Sequence, residues 1–280
     1  MVESRLEGGA TPAQERHDIQ TGTAGAAGAS CTSFGLPVTI DPAFRDSVRQ
    51  KYNQIDEIWT DVDRWHARSR REIFEAVDRL NRLHPEPHNL VIDIGAGGHP
   101  QRVPSRTYIQ ADIAVEKLRG ISNSVCADAH RLPFATASAD CVMCVGAVVN
   151  YCSLTDIVAE ISRIAAPGAM MVMHIELSNS FEFFLTPHYR ADAAFIKTFY
   201  QGEESLWVYS DRHVRQVLAD ACFRIVDSRY FHIASALAYR LLKKPNVAVK
   251  LSGLDAVLGA IPRIGGIADS ALFICRKAGD

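Results

Sequence analysis

From Leu90 onward the chain alternates between short apolar runs and helical patterns, and this alternation narrows the accessible folds more than any other feature. The runs are LVIDIG, TYIQADI, SVCAD, DCVMCVGAVV, AMMVMHIEL, RIVDSRYF and ALFICRK. Helical patterns lie between several of them, notably SLTDIVAEISRIAAPG and SDRHVRQVLADACF. Strands that are apolar throughout and separated by helices belong to mainly parallel sheets covered on both faces. The expected fold is therefore α/β, with a doubly wound, mainly parallel seven-stranded sheet.

The chain ahead of this region reads differently. Residues 1–36 include TGTAGAAGAS, show no periodicity, and are expected to form a disordered tail because they bury too little to offset ordering entropy. DPAFRDSVRQKYNQIDEIW opens with an N-cap Asp and a Pro at the first helical position. Phe44, Val48, Tyr52 and Ile55 then recur at helical spacing. A second helix runs through RWHARSRREIFEAVDRLNRL, with Ile73, Val77 and Leu80 on one stripe, until HPEPHN ends it. This divides the chain into a tail over 1–36, a helical cap or lid over 37–87, and a main domain over 88–280.

Composition sets outer limits. The formal net charge of −2 and the absence of a long basic tract argue against nucleic acid as a partner. Seven cysteines without framework spacing read as reduced thiols of a cytoplasmic protein. Cys141 and Cys144 form a CxxC, but in a strand residues three apart face opposite ways, so they read as core residues. No run approaches the roughly 20 apolar residues that span a bilayer. The sparsely charged tract HIASALAYRLLKKPNVAVKLSGLDAVLGAIPRIGG reads as a helix over the last strands and leaves peripheral membrane or subunit contact open.

The chemistry begins at VIDIGAGGHP. Gly95, Gly97 and Gly98 follow a strand-like run, and the missing Cβ atoms let a ligand approach the backbone. The pattern is D-x-G-x-G-G-H, with Asp93 ahead of the first glycine. An acid aimed at this turn repels pyrophosphate and favours an ammonium or sulfonium group. Asp112 closes TYIQADI, nineteen residues after Asp93, where a carboxylate can take both hydroxyls of a ribose. Asp128 closes SVCAD, placed to accept from an exocyclic amine. Three strand-end acids without a phosphate cradle describe a nucleoside that carries positive charge.

On these residues the sequence resembles the class I S-adenosylmethionine-dependent methyltransferases, whose fold is Rossmann-like, from about Asn89 to Lys277. VIDIGAGG stands for the first family motif, ADAHRLPFATASADCV for the segment leading into the fourth strand, and ISRIAAPGAMMVM for the passage into the fifth. The resemblance implies that Asp93, Gly95, Ala96 and Gly97 line the methionine end of the cofactor. It places Asp112 and Ile113 at the ribose, Asp128 and Ala129 at the adenine, and Gly146 near the methionine moiety. One departure stands out. His99-Pro100 and Pro104 leave room for at most a single helical turn before the next strand.

The methyl acceptor should lie beyond the fourth and fifth strands. VVNYC lacks the Asp/Asn-Pro-Pro-aromatic signature of family members that act on amino groups of bases or glutamine. Asn150 and Tyr151 read as the end of the fourth strand, and Tyr151 joins His174 and Glu176 as a catalytic candidate. His174 and Glu176 lie two apart and so share a face; they read as a general base with its orienting acid, or as a core histidine with a solvent-facing glutamate. Phe181, Phe183, Phe184, His188, Tyr189, Phe199, Tyr200, Trp207 and Tyr209 could wall an acceptor pocket, closed by the helices that bear Tyr52, Trp59 and Trp65. The expected activity is methyl transfer to a small, apolar or aromatic metabolite at oxygen, nitrogen or carbon, without a metal. Two rivals remain: a nicotinamide-dependent oxidoreductase, which would need a helix start where the chain has prolines, and a fold member that binds the cofactor without methylating.

Overall fold

A computed structural model describes residues 38–57, 59, 63–198, 204–259 and 265–279. The expected tail over 1–36 lies outside the described residues. Two helices come first, α1 (Pro42–Gln54) and α2 (Arg64–Leu83). The Asp41 carboxylate accepts from the Ala43 amide at 2.9 Å with Pro42 in the first turn, and Asp63 caps α2 by accepting from Trp65 and His66.

The main sheet comprises β1 (His88–Ile94), β2 (Ser105–Asp112), β3 (Ser124–Cys126), β4 (Ala139–Cys144), β5 (Ala165–Glu176), β8 (Phe223–Phe231) and β9 (Ser270–Lys277). Its order is β3-β2-β1-β4-β5-β9-β8. Pairings among β3, β2, β1, β4 and β5 are parallel, whereas β9 runs antiparallel to both β5 and β8. The strand order reverses at β1–β4, where the carboxyl ends of open sheets leave a crevice. A separate antiparallel hairpin, β6 (Ala193–Thr198) with β7 (Glu204–Tyr209), is inserted after β5.

Both faces of the sheet are covered. On one, α3 (Leu154–Ile164) and α4 (Asp211–Asp220) bury Leu154, Ile157, Ile161, Val214 and Leu218 against Ile92, Met171 and Phe273. On the other, Ile73, Ala76, Val77 and Leu80 of α2 pack on Val91, Met143, Val172 and Ile274. The stripe read in α2 is therefore sheet packing, and α1 is the helix that reaches the strand tips. Cys144 belongs to the first core and Cys141 to the second, both as free thiols with no exposure, so the CxxC faces two ways.

Between β8 and β9 the tract read as one helix is three: α5 (Ala234–Leu242), α6 (Pro245–Ala248) and α7 (Ser252–Gly259). Lys243 caps α5 at φ 52 and Pro245 follows, so the helix cannot continue. Leu241, Leu254 and Val257 of this region face solvent. No helix among the described residues is long and apolar enough to cross a membrane.

Candidate active site

The carboxyl ends of β1, β2, β3 and β4 meet at one cleft, and all nine residues expected around a cofactor line it. Asp93 and the turn Gly95-Ala96-Gly97 come from β1 and its exit. The next two strands bring Asp112 with Ile113, then Asp128 with Ala129, and Gly146 follows β4. No helix forms between Gly95 and Pro104, as the two prolines require. Gly95 has φ +68, and a Cβ there would fall 2.2 Å from a Val148 methyl, so the turn tolerates no side chain at this point. Gly98 answers to packing instead, since its Cβ would meet the Lys117 carbonyl oxygen at 2.7 Å. His99 lies outside the cleft, on a neighbouring surface hollow with Pro100.

The three acids differ in their surroundings. Asp93 is fully buried; one carboxyl oxygen accepts from the Tyr108 hydroxyl at 2.6 Å and the other has no partner. Burial pushes its pKa up to about 7, with Asp112 adding repulsion against the Tyr108 bond. Asp112 accepts from the Gly97 amide at 2.8 Å through one oxygen and from the Ala114 amide at 2.8 Å through the other. Each oxygen keeps acceptor capacity for a ligand hydroxyl. Asp128 is held well below the usual carboxylate range, first by His130 and also by Arg45 of α1. The His130 Nδ1 lies 2.8 Å from Asp128, while its Nε2 accepts from the Ser153 amide at 3.1 Å, so Nδ1 carries the proton.

A second cavity opens beside the first, and Tyr52, Trp59, Gly146 and Tyr151 line both. Its wall contains His174 and Glu176 from the end of β5 together with Tyr151. Tyr151 does not end the fourth strand as expected. Gly146 and Ala147 take φ 80 and 62, which stops β4 and starts a 3-10 turn over Val148–Tyr151. Asn150, fully buried, then clamps the chain by donating to the Glu176 and Trp207 carbonyls at 2.9 and 2.7 Å.

His174 and Glu176 share the cavity without bonding to each other. The imidazole is 3% exposed, and neither ring nitrogen has a partner. Burial drags its pKa down to about 3, so the ring stays neutral near pH 7 and is a weak proton acceptor in the empty cavity. The expected aromatic wall contracts too. Phe183 lines the cavity, Tyr209 is instead wholly in the core and donates to the Cys152 carbonyl, and Phe199 and Tyr200 lie outside the described residues. Glu182, Glu204, Asp269 and Lys51 line the cavity without any sequence signal having marked them.

Residues 93–173 match the family model of a methyltransferase domain. The match identifies this stretch as similar to a methyltransferase domain. Among solved structures, geranyl diphosphate C-methyltransferase from Streptomyces coelicolor A3(2) is similar at 12% identity and a TM-score of 0.52, over 87% of this chain and all (100%) of that one. The 1,6-didemethyltoxoflavin-N1-methyltransferase of Burkholderia thailandensis is similar at 14% identity and a TM-score of 0.51, over 88% of this chain and 93% of that one. At such identities these likenesses speak for the fold alone. No curated protein matches the chain by sequence.

S-adenosylmethionine, the cofactor that the sequence resemblance implies, fits the residues of this cleft. The unpartnered oxygen of Asp93 suits the cofactor's ammonium, the Gly95 turn leaves no Cβ in the way, and Asp112 has lone pairs for the ribose hydroxyls.

Proposed function

We propose that this chain transfers a methyl group from S-adenosylmethionine to a small organic molecule seated in the second cavity. One observation carries the reading: the strand-tip cleft and the neighbouring cavity share Tyr52, Trp59, Gly146 and Tyr151, so two ligands bound side by side would meet there. When bound, the cofactor supplies an electrophilic methyl group on a sulfonium. The chain's own task is to hold both partners in line and keep water out.

Asp93, Asp112 and Asp128 would anchor the cofactor at its amino-acid, ribose and adenine ends, with Ala96, Gly97, Ile113 and Ala129 packed alongside. Tyr151 stands at the junction with its hydroxyl donated to Glu204 and accepting from Tyr52 at 3.0 Å. Burial and the surrounding Tyr52 and Glu204 raise the Tyr151 phenol well above its ordinary range, so it acts as a neutral hydrogen-bonding wall. Helix α1 would be the lid, since Arg45 reaches Asp128 and Lys51 reaches Glu204 from above the two cavities. The free state of every described cysteine agrees with a cytoplasmic setting.

Calorimetry tests the cofactor half of the reading. S-adenosylhomocysteine should bind saturably and NADH should not; the reverse would end it. The transfer half is tested by incubating the chain with methyl-labelled cofactor and a metabolite extract. A labelled small-molecule product is expected, and unlabelled metabolites after full turnover time would reject the activity.

A further inference from the structure

The second cavity holds more acidic groups than methyl transfer requires. Four acids line it: Glu176 at the end of β5, Glu182 in the turn that follows, Glu204 at the start of β7 and Asp269 just before β9. Two of these have partners. Glu204 is paired with Lys51 and accepts from Tyr151, and Asp269 accepts from Ser270 Oγ at 3.0 Å. Among the described residues, the carboxyl groups of Glu176 and Glu182 have no hydrogen bond or ion pair; only their backbone atoms are engaged. Burial holds Glu176 well above the usual carboxylate range, and Asp269, Glu204 and Glu182 add repulsion. Glu182 is pushed up to about 7 by burial and Asp269, against the pull of Lys243 and Arg240.

A second observation does not depend on the acids. His174 lines the same cavity, is 3% exposed, and leaves both ring nitrogens without a partner. Buried polar atoms are normally hydrogen-bonded, so two unmet nitrogens on a cavity wall are open to polar atoms of a ligand. As a neutral imidazole, His174 has one nitrogen free to accept an N–H. Tyr52, Trp59, Tyr151 and Phe183 surround these groups with ring surfaces that suit a cation or an apolar body.

We infer that the cavity selects a small organic amine bound as its ammonium, with N–H groups toward Glu176, Glu182 and His174 and its apolar body along Tyr52, Trp59 and Phe183. This rests on the reading of the cavity as the acceptor site. An ammonium brings three donors and one positive charge, and it draws the two carboxyls into their ionised forms, each of which then attracts it. A carboxylate ligand would instead add to the repulsion. A metal ion is a poorer occupant, because no group of three or more His, Cys, Asp or Glu among the described residues is arranged to hold one. Two cations also line the cavity: Lys51, which pairs with Glu204 and pulls Glu176 toward its ionised form, and Lys197; the four acids outnumber them.

The test uses the full chain saturated with S-adenosylhomocysteine and three probes of one shape: 2-phenylethylamine, 2-phenylethanol and phenylacetate. By calorimetry the amine should bind saturably and at least roughly ten-fold tighter than the alcohol, the scale of a charge-assisted contact, with phenylacetate weakest. Glu176→Gln and, separately, Glu182→Gln should each weaken the amine roughly ten-fold while leaving the alcohol and S-adenosylhomocysteine unchanged. Thermal melting of both variants checks that they fold. The inference is overturned if the alcohol or phenylacetate binds as well as the amine, if the amine does not saturate, or if neither variant affects it. Because S-adenosylhomocysteine affinity is measured first, failure of the cofactor reading registers there, whereas failure of the amine alone rejects only this inference.

Discussion

At the residue scale the cofactor cleft is governed by where protons sit. Asp93 has no exposure and a pKa raised to about 7, and its free oxygen can receive an ammonium only as a carboxylate. Below pH 7 the acid holds its proton, and binding must expel it; above, it does not. S-adenosylhomocysteine affinity should therefore fall roughly ten-fold per pH unit below 7 and level off above pH ~8. Asp93→Asn should flatten that slope and weaken binding at pH 8, whereas a flat wild-type profile in calorimetry would detach Asp93 from the ammonium. Asp112→Ala should weaken the same ligand ten-fold or more, since a charge-assisted hydrogen bond is worth about 1.5–3 kcal/mol. It should also lower the melting temperature, because Asp112 fastens the Gly97 and Ala114 amides; unchanged affinity would leave it a structural residue only. These acids were legible because each closes an apolar strand-like run. Lys51, Glu182, Glu204 and Asp269 were not, because they come from four separate segments and meet only through the fold.

At the scale of elements, the seven strands of the main sheet were readable as apolar runs, and the hairpin was not. AAFIKT and ESLWVY interleave polar and apolar residues and pack as a small outlying unit, so neither carries the buried-strand pattern. The two N-terminal helices both looked amphipathic, yet their roles diverge. Seven residues of α2 are buried, including the sheet-facing Leu80, whereas α1 has none. Helix α1 is held by the Arg45–Asp128 and Lys51–Glu204 pairs and by the edge-on contact of Phe44 with Phe195. Partly exposed ion pairs contribute about 0–1 kcal/mol each, so α1 should open far more readily than the sheet. Hydrogen exchange should show α1 amides exchanging well ahead of those of α2, and Lys51→Ala should widen the gap without altering α2. Equal protection in both helices would deny α1 a lid's mobility. Leu80→Ala, by contrast, should cost about 2–5 kcal/mol in global unfolding, because it empties a fully buried site between α2 and the sheet.

For the molecule as a whole, the consequence is that ligand binding and folding are linked. The cleft is assembled from the ends of four strands and roofed by α1, and no single segment holds more than a fragment of it. The unfolded chain has no such site, so a ligand spanning these tips binds the folded state alone. At a concentration one hundred times its dissociation constant it adds about 2.7 kcal/mol of stability. In a domain of this size that corresponds to a rise in melting temperature of roughly 5–10 °C. S-adenosylhomocysteine should give this rise in a thermal melt, and NADH at equal concentration should leave the transition in place. The prolines after Gly98 are the reason to expect the contrast: Pro100 and Pro104 prevent the helix whose first amides would hold a pyrophosphate, while Asp93 would repel it. A shift with NADH and none with S-adenosylhomocysteine would mean that the cleft tolerates phosphate despite both features, and that the strand-tip acids serve the fold instead of a charged nucleoside.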